Sequence, residues 1–297
     1  MSQELKRKLW DKTKLFIFLL PTLIFIFGFI GFPIIFSGYL SFTSFNYAKD
    51  ALPTFIGIQG YADMILHDSL FHTALLNQIK FAIPYFFITF FASLILAILI
   101  NELKRWVTLF QTIYYMPMII SMSLVGITFS WILDPNLGLF NRILQIIGLG
   151  SLTQNWFGNP STALYGLVVA RSWKMMGFTL VVFLGGLASI PGDLREAARI
   201  DGANFWQEVV YVVLPNLKPY LLIGGIWVLI NSFKVFVLPQ VVTEGGPGFA
   251  TLTLYYYSWK LAFERLSMGA ASQVAYITAF IILALAAVMN YFLSTSD

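Results

Sequence analysis

The chain has 297 residues, 58% hydrophobic and 11% charged, with a mean hydropathy of +0.78. Soluble domains carry about a quarter charged residues, so this is an integral membrane protein. Zero cysteines exclude a disulfide framework, a thiolate metal site and a cysteine nucleophile, and a net charge of +4 calls for no nucleic-acid partner.

Residues 1–14 carry Lys6, Arg7, Lys8, Lys12 and Lys14 against Glu4 and Asp11. The apolar run at 15–40 that follows is long enough to cross a hydrocarbon core of roughly 30 Å. It is too long for the core of a cleaved signal peptide, and no small-x-small site follows it. Residues 41–80 read as a polar external loop with Asp50, Gly57, Asp63 and Asp68, and with both histidines, His67 and His72, solvated. Five more spans are predicted at about 81–100, 107–133, 162–187, 220–242 and 270–293, with a cytoplasmic connector at 188–219. The expectation is an all-α integral membrane protein, residues 1–297 forming a single domain of six transmembrane helices with both termini cytoplasmic. Charge placement supports that orientation. Lys6, Arg7, Lys8, Lys12, Lys14, Lys104, Arg105, Arg195, Arg199 and Lys218 fall on one side, and only Lys49, Lys80, Arg142, Lys260 and Arg265 on the other.

The connector is the longest polar-bearing interval between two strongly apolar segments. Two short helices are predicted in it. Pro191 suits a first helical turn, where its missing N–H costs nothing. Leu194, Ala197, Ala198 and Ile200 share one face, with Glu196 and Arg199 off it. Gly202 closes the first helix, Asn204 caps a second carrying Phe205, Trp206, Val209, Val210 and Val213, and Pro215 ends it. An amphipathic connector lying on the lipid surface fits this pattern. So does a docking site, because Ala197, Ala198, Gly202 and Ala203 let another backbone approach closely.

All fourteen acidic residues can be placed outside the spans or at their edges. Proton-coupled carriers usually hold carboxylates inside the membrane, so this chain lacks their commonest machinery. There is no G-K dipeptide and hence no P-loop, and no H-E-x-x-H, G-x-S-x-G or metal-ligand cluster. No catalytic or metal-binding residue is expected, and the chain reads as a transport subunit rather than an enzyme. Three cations do fall within spans: Arg171 and Lys174 in the fourth, Lys234 in the fifth. With Trp173, Phe178 and Asn231 they offer aromatic faces and hydrogen-bond donors of the kind a sugar requires. They equally suit snorkelling heads or the lining of a water-filled gap. A secondary carrier, a channel and a non-transporting scaffold remain open on these grounds.

Glu196-Ala197-Ala198, then Asp201-Gly202-Ala203, then Leu214-Pro215 resembles the EAA loop of ABC-importer permeases over the whole connector, without a gap. Phe55-Ile56-Gly57 with Tyr61, Met116-Pro117, Asp134-Pro135-Asn136, Trp173 with Gly177-Phe178, and residues 232–236 are similar to carbohydrate-importer permeases. Gly245-Gly246-Pro247-Gly248 with Thr251 is like the first permease of a maltose/glycerol-phosphate-type heterodimeric pair. Asn231 departs from the pattern, which often has glycine there. The resemblance implies a type I ABC importer permease fold in a bacterial or archaeal inner membrane, surrounded by lipid. It also implies a second, related permease, an external solute-binding protein, and two cytoplasmic ATPase subunits that carry the ATP and magnesium, with no cofactor on this chain. Arg195, Glu196, Ala197, Ala198, Arg199, Asp201, Gly202 and Ala203 would form the coupling helix. A neutral saccharide or polyol leads as substrate, with a phosphorylated polyol second.

Overall fold

The computed structural model describes the backbone of residues 3–294 and the side chains of Lys14 and residues 16–292. The side chains of Lys6, Arg7, Lys8 and Lys12, on which the amino-terminal orientation rests, lie outside the described residues.

A first apolar helix, α1 (Gln3–Ile26), continues through a π turn (Phe27–Gly31) into α2 (Phe32–Leu40). Strands β1 (Thr43–Ser44) and β2 (Thr54–Phe55) then form a small antiparallel hairpin, followed by α3 (Gln59–His67) and the long α4 (Ser69–Glu102). Next come α5 (Val107–Ile119), α6 (Met122–Ile132), the short α7 (Leu139–Ile146) and α8 (Ala163–Ser189). The connector holds α9 (Gly192–Ile200) and α10 (Phe205–Glu208), and a π turn (Val209–Val213) leads into α11 (Leu214–Phe233). The remaining helices are α12 (Leu254–Trp259) and α13 (Met268–Ser294). Among the described residues five helices are long and apolar enough to cross a membrane, or six spans when the bent α5–α6 pair is counted as one.

Three expected boundaries change. The second span was expected at 81–100, but its helix begins at Ser69, inside the expected external loop. Asp68 starts it, with Oδ1 accepting from the amides of Leu70 and Phe71. The polar residues that suggest a loop are instead buried and bonded: Asn77 donates to the Phe249 and Leu252 carbonyls, and Gln78 to that of Ser232. His72 therefore lies on α4, bonded to the Ile65 carbonyl, and His67 ends α3.

The third span, expected at about 107–133, bends by 98° between Ile119 and Met122. Ile120 and Ser121 are extended, and Ser121 caps the new helix through Leu124 N–H.

The fifth span, expected at 220–242, is a continuous helical stretch from Phe205 to Phe233 that breaks at residues 234–236. Pro215 was expected to end a connector helix. It sits instead in the first turn of α11, directly after a π turn whose widened spacing removes the demand for its amide.

Helix α8 is the centre of the bundle. In its most apolar window 61% of residues are buried, against 28% or less in the other single-helix spans. Leu180, Phe183, Leu184 and Leu187 pack with Leu94, Ala97, Val213 and Leu217 at one end, and Leu164, Leu167 and Val168 with Phe81, Tyr85 and Val228 further along. Between these layers lies the backbone contact at Gly177. A Cβ there would sit 2.2 Å from the Tyr114 carbonyl oxygen, so glycine is what lets α5 lie against α8.

Candidate functional site

Local sequence builds the connector almost alone. Asp193 lies in the first turn of α9 and Arg199 in its last, each complementing the helix dipole. Gly202, at φ +83°, closes the helix: its N–H reaches the Arg199 carbonyl and that of Ala203 reaches Ala198, the two bonds of a Schellman motif. Asn204 and Gln207 then form a reciprocal capping box that starts α10. Gly202→Val would find open space for its side chain but a backbone angle that a β-branched residue resists by about 1–2 kcal/mol. The expected result is a misdirected α9 in a protein that still inserts, read as lost transport at unchanged membrane abundance.

What holds α9 to the bundle is ionic. Glu208, 2% exposed, accepts from Arg195 Nε and from Arg199 Nε at 2.8 Å. Arg195 also pairs with Glu102, at the end of α4, and Arg199 Nη2 lies 3.6 Å from the same carboxylate. The hydrogen bond it donates to Glu208 holds the Arg199 guanidinium above its ordinary pKa. Partial burial opposes the same shift at Arg195, and the bonds to Glu102 and Glu208 outweigh it. Two of the residues expected at a partner interface, Arg195 and Arg199, thus use their side chains within the chain. The rest of α9 faces outward: none of its residues is buried, Glu196, Ala197 and Asp201 are exposed, and Ile200 is 80% exposed. Trp206, 73% exposed, extends the uncovered apolar surface onto α10. The pattern of Glu102 and Glu208 opposite two arginines was present in the same-side connectors, but no local spacing joins residues on α4 and α10.

The intramembrane candidates separate. Arg171 is buried, and its Nη2 donates to the carbonyls of Asn231 and Lys234, both at 2.9 Å. Lys174, also buried, donates to the carbonyls of Pro117, Met118 and Ile120 at 3.4, 2.8 and 2.5 Å. Each cation therefore meets the carbonyl end of an interrupted span, where the helix dipole is negative. Asn231 is buried and its amide bonds the Trp227 carbonyl. Trp173 packs against Phe129 with ring centroids 5.7 Å apart, and Phe178 against Trp227 at 4.3 Å. Lys234 is exposed at the break after α11. Phe178 also lines a mostly apolar groove of about 420 Å³ with Tyr115, Met116, Ile119 and Val181, with Thr108, Gln111 and Thr112 beside them.

A bundle of spans around one buried helix, with a short connector helix ion-braced to α4 and α10 and left bare on its outer face, defines a multi-pass membrane protein. The chain belongs to the family of binding-protein-dependent transport system inner membrane components, whose pattern matches residues 89–295. It is 34% identical over 285 residues to the probable ABC transporter permease protein YurN of Bacillus subtilis, covering 94% of this chain and 96% of that one. It is 30% identical over 280 residues to the probable starch degradation products transport system permease protein AmyD of Thermoanaerobacterium thermosulfurigenes, covering 94% and 92%. Its fold is similar to a chain of a solved bacterial ABC transporter that imports the acidic polysaccharide alginate, with a TM-score of 0.84, 23% identity, and coverage of 99% and 100%. It is an ABC importer permease of the inner membrane, and the carrier, channel and scaffold readings give way to that.

Proposed function

We propose that this permease translocates a sugar or polyol by alternating access, driven by ATP hydrolysed on separate subunits. Helix α9 is the element those subunits grip. The observation that carries this is its two-sidedness: a four-charge cluster ties one face to α4 and α10, while Glu196, Ala197 and Ile200 are bare on the other. A partner that pulls on the bare face pulls on two helices of the bundle as well. The excess of basic residues on the connector side supports a cytoplasmic grip. A second permease and an external solute-binding protein complete the assembly. In support, the solved alginate transporter has been captured with an alginate pentasaccharide-bound periplasmic protein.

The carbohydrate reading rests on relatives such as AmyD and on the groove beside Phe178. A neutral solute is favoured over a phosphorylated one, because Arg171 and Lys174 are buried and held against main-chain carbonyls.

Co-purification from detergent-solubilised membranes tests the grip. Wild type is expected to bring down an ATPase and a sibling permease. Glu196→Lys, which inverts a charge on the bare face, is expected to lose most of the ATPase and keep the sibling. Equal ATPase recovery by that variant would move the grip elsewhere. Recovery of this chain alone from wild type, with solute uptake indifferent to ATP, would remove the proposal altogether.

A further inference from the structure

We infer that Arg171 and Lys174 are positioning residues that pin the two interrupted spans to α8, so that both breaks move with one helix. The inference goes beyond the coupling proposal and rests on it for the nucleotide-bound state and the transport readout.

Interrupting a helix inside a membrane strands carbonyls that no water can satisfy, at a cost of several kcal/mol each. The third span is interrupted between Ile119 and Met122, and the fifth at residues 234–236. These two breaks lie in different spans, yet their carbonyls are met by side chains only three residues apart on α8. Two like charges at that spacing repel each other and would be unfavourable alone. Neither forms an ion pair with any described carboxylate; the carbonyl ends of two helices take that place.

The surroundings keep the reach short. Gly177, one turn beyond Lys174, lets the α5 backbone touch α8. Gln78 on α4 donates to the Ser232 carbonyl beside the Arg171 bonds, and the Tyr85 ring lies 5.7 Å from the guanidinium. The contact at α5 is also adaptable. Lys174 fans across three carbonyls with three rotatable donors, so a change of bend angle can exchange partners without stranding the charge. Arg171 Nε is buried with no partner, a spare donor on the other side. These residues thus set where the wall of the pathway stands, and do not touch what passes along it.

The chain itself has no cysteine, so paired labels need no background removal on this subunit, and it is labelled before assembly with its partners. Cysteines at Ile119 and Lys234, both exposed and each at one break, carry spin labels in the full transporter in lipid. With both breaks pinned to α8, the wild-type distance between them changes by less than about 5 Å, one helical turn, between nucleotide-free and nucleotide-bound states. A larger change overturns the inference, and this measurement needs no brace variant to fold. Lys174→Met is then expected to broaden the distance distribution and lower kcat for uptake about tenfold, with KM within about twofold of wild type and Lys174→Arg restoring most of the loss. A raised KM with unchanged kcat would instead make the cation a substrate contact. Loss of ATPase co-purification from wild type would sink the coupling proposal, while broadening of the nucleotide-free distance distribution by Lys174→Met would still test the pin.

Discussion

Glu208→Ala is expected to abolish coupling between ATP hydrolysis and transport while leaving the chain inserted. Glu208 is the best-buried member of the cluster and the one carboxylate bonded by both arginines. Removing it leaves Arg199 with a single longer contact to Glu102 at 3.6 Å, and Arg195 with Glu102 alone. Deleting one partner of a buried pair is destabilising, and the exposure of Arg199 and partial exposure of Arg195 moderate that cost. Losing both Glu208 bonds loosens α9 from α10. In reconstituted complexes the expected signature is ATPase activity that no longer rises with loaded solute-binding protein, together with at least about a tenfold fall in uptake. Glu102→Ala should do less, because its carboxylate is more exposed and makes fewer bonds. A Glu208→Ala protein with the wild-type ratio of solute moved to ATP used would show that the cluster is not what transmits the pull.

The second large effect is expected from Gly177→Leu. An added Cβ meets backbone atoms of Tyr114 and Tyr115 at 2.2–2.9 Å, and backbone cannot swing aside as a side chain can. The helices must separate, which withdraws Lys174 from the carbonyls at the end of α5 as well. Overpacking of this kind costs about 1–3 kcal/mol, and the stranded ammonium adds to it. A lowered melting temperature of the solubilised protein, with reduced recovery of the sibling permease, is the expected outcome. Gly177→Ala already introduces the clash, so it should fall between wild type and leucine. Unchanged melting for both would mean that α5 and α8 have room to part.

The connector was legible because its instructions are local. Asp193 at the start of α9, Gly202 at its end and the Asn204–Gln207 box act over four residues or fewer, and each did in the structure what its spacing implies. Pro215 was misread for a related reason: the rule that proline ends a helix assumes an α-helical turn before it, and here a π turn precedes it. Asn77 and Gln78 were misread as loop residues because a polar side chain inside a span looks the same in sequence whether it meets water or a carbonyl.

By itself the sequence determined the membrane class, the order of the apolar segments, the helix–turn–helix of the connector and its likeness to importer permeases. These depend on apolar length and short-range capping, which contiguous residues settle. The tertiary structure alone decided what the charges do. Arg171 and Lys174 find acceptors 54 to 63 residues away, and Arg195 finds Glu102 at a separation of 93. A buried charge must be satisfied by whatever packing brings beside it. That partner is chosen by where the spans break and how closely α5 and α11 approach α8, which no local pattern encodes.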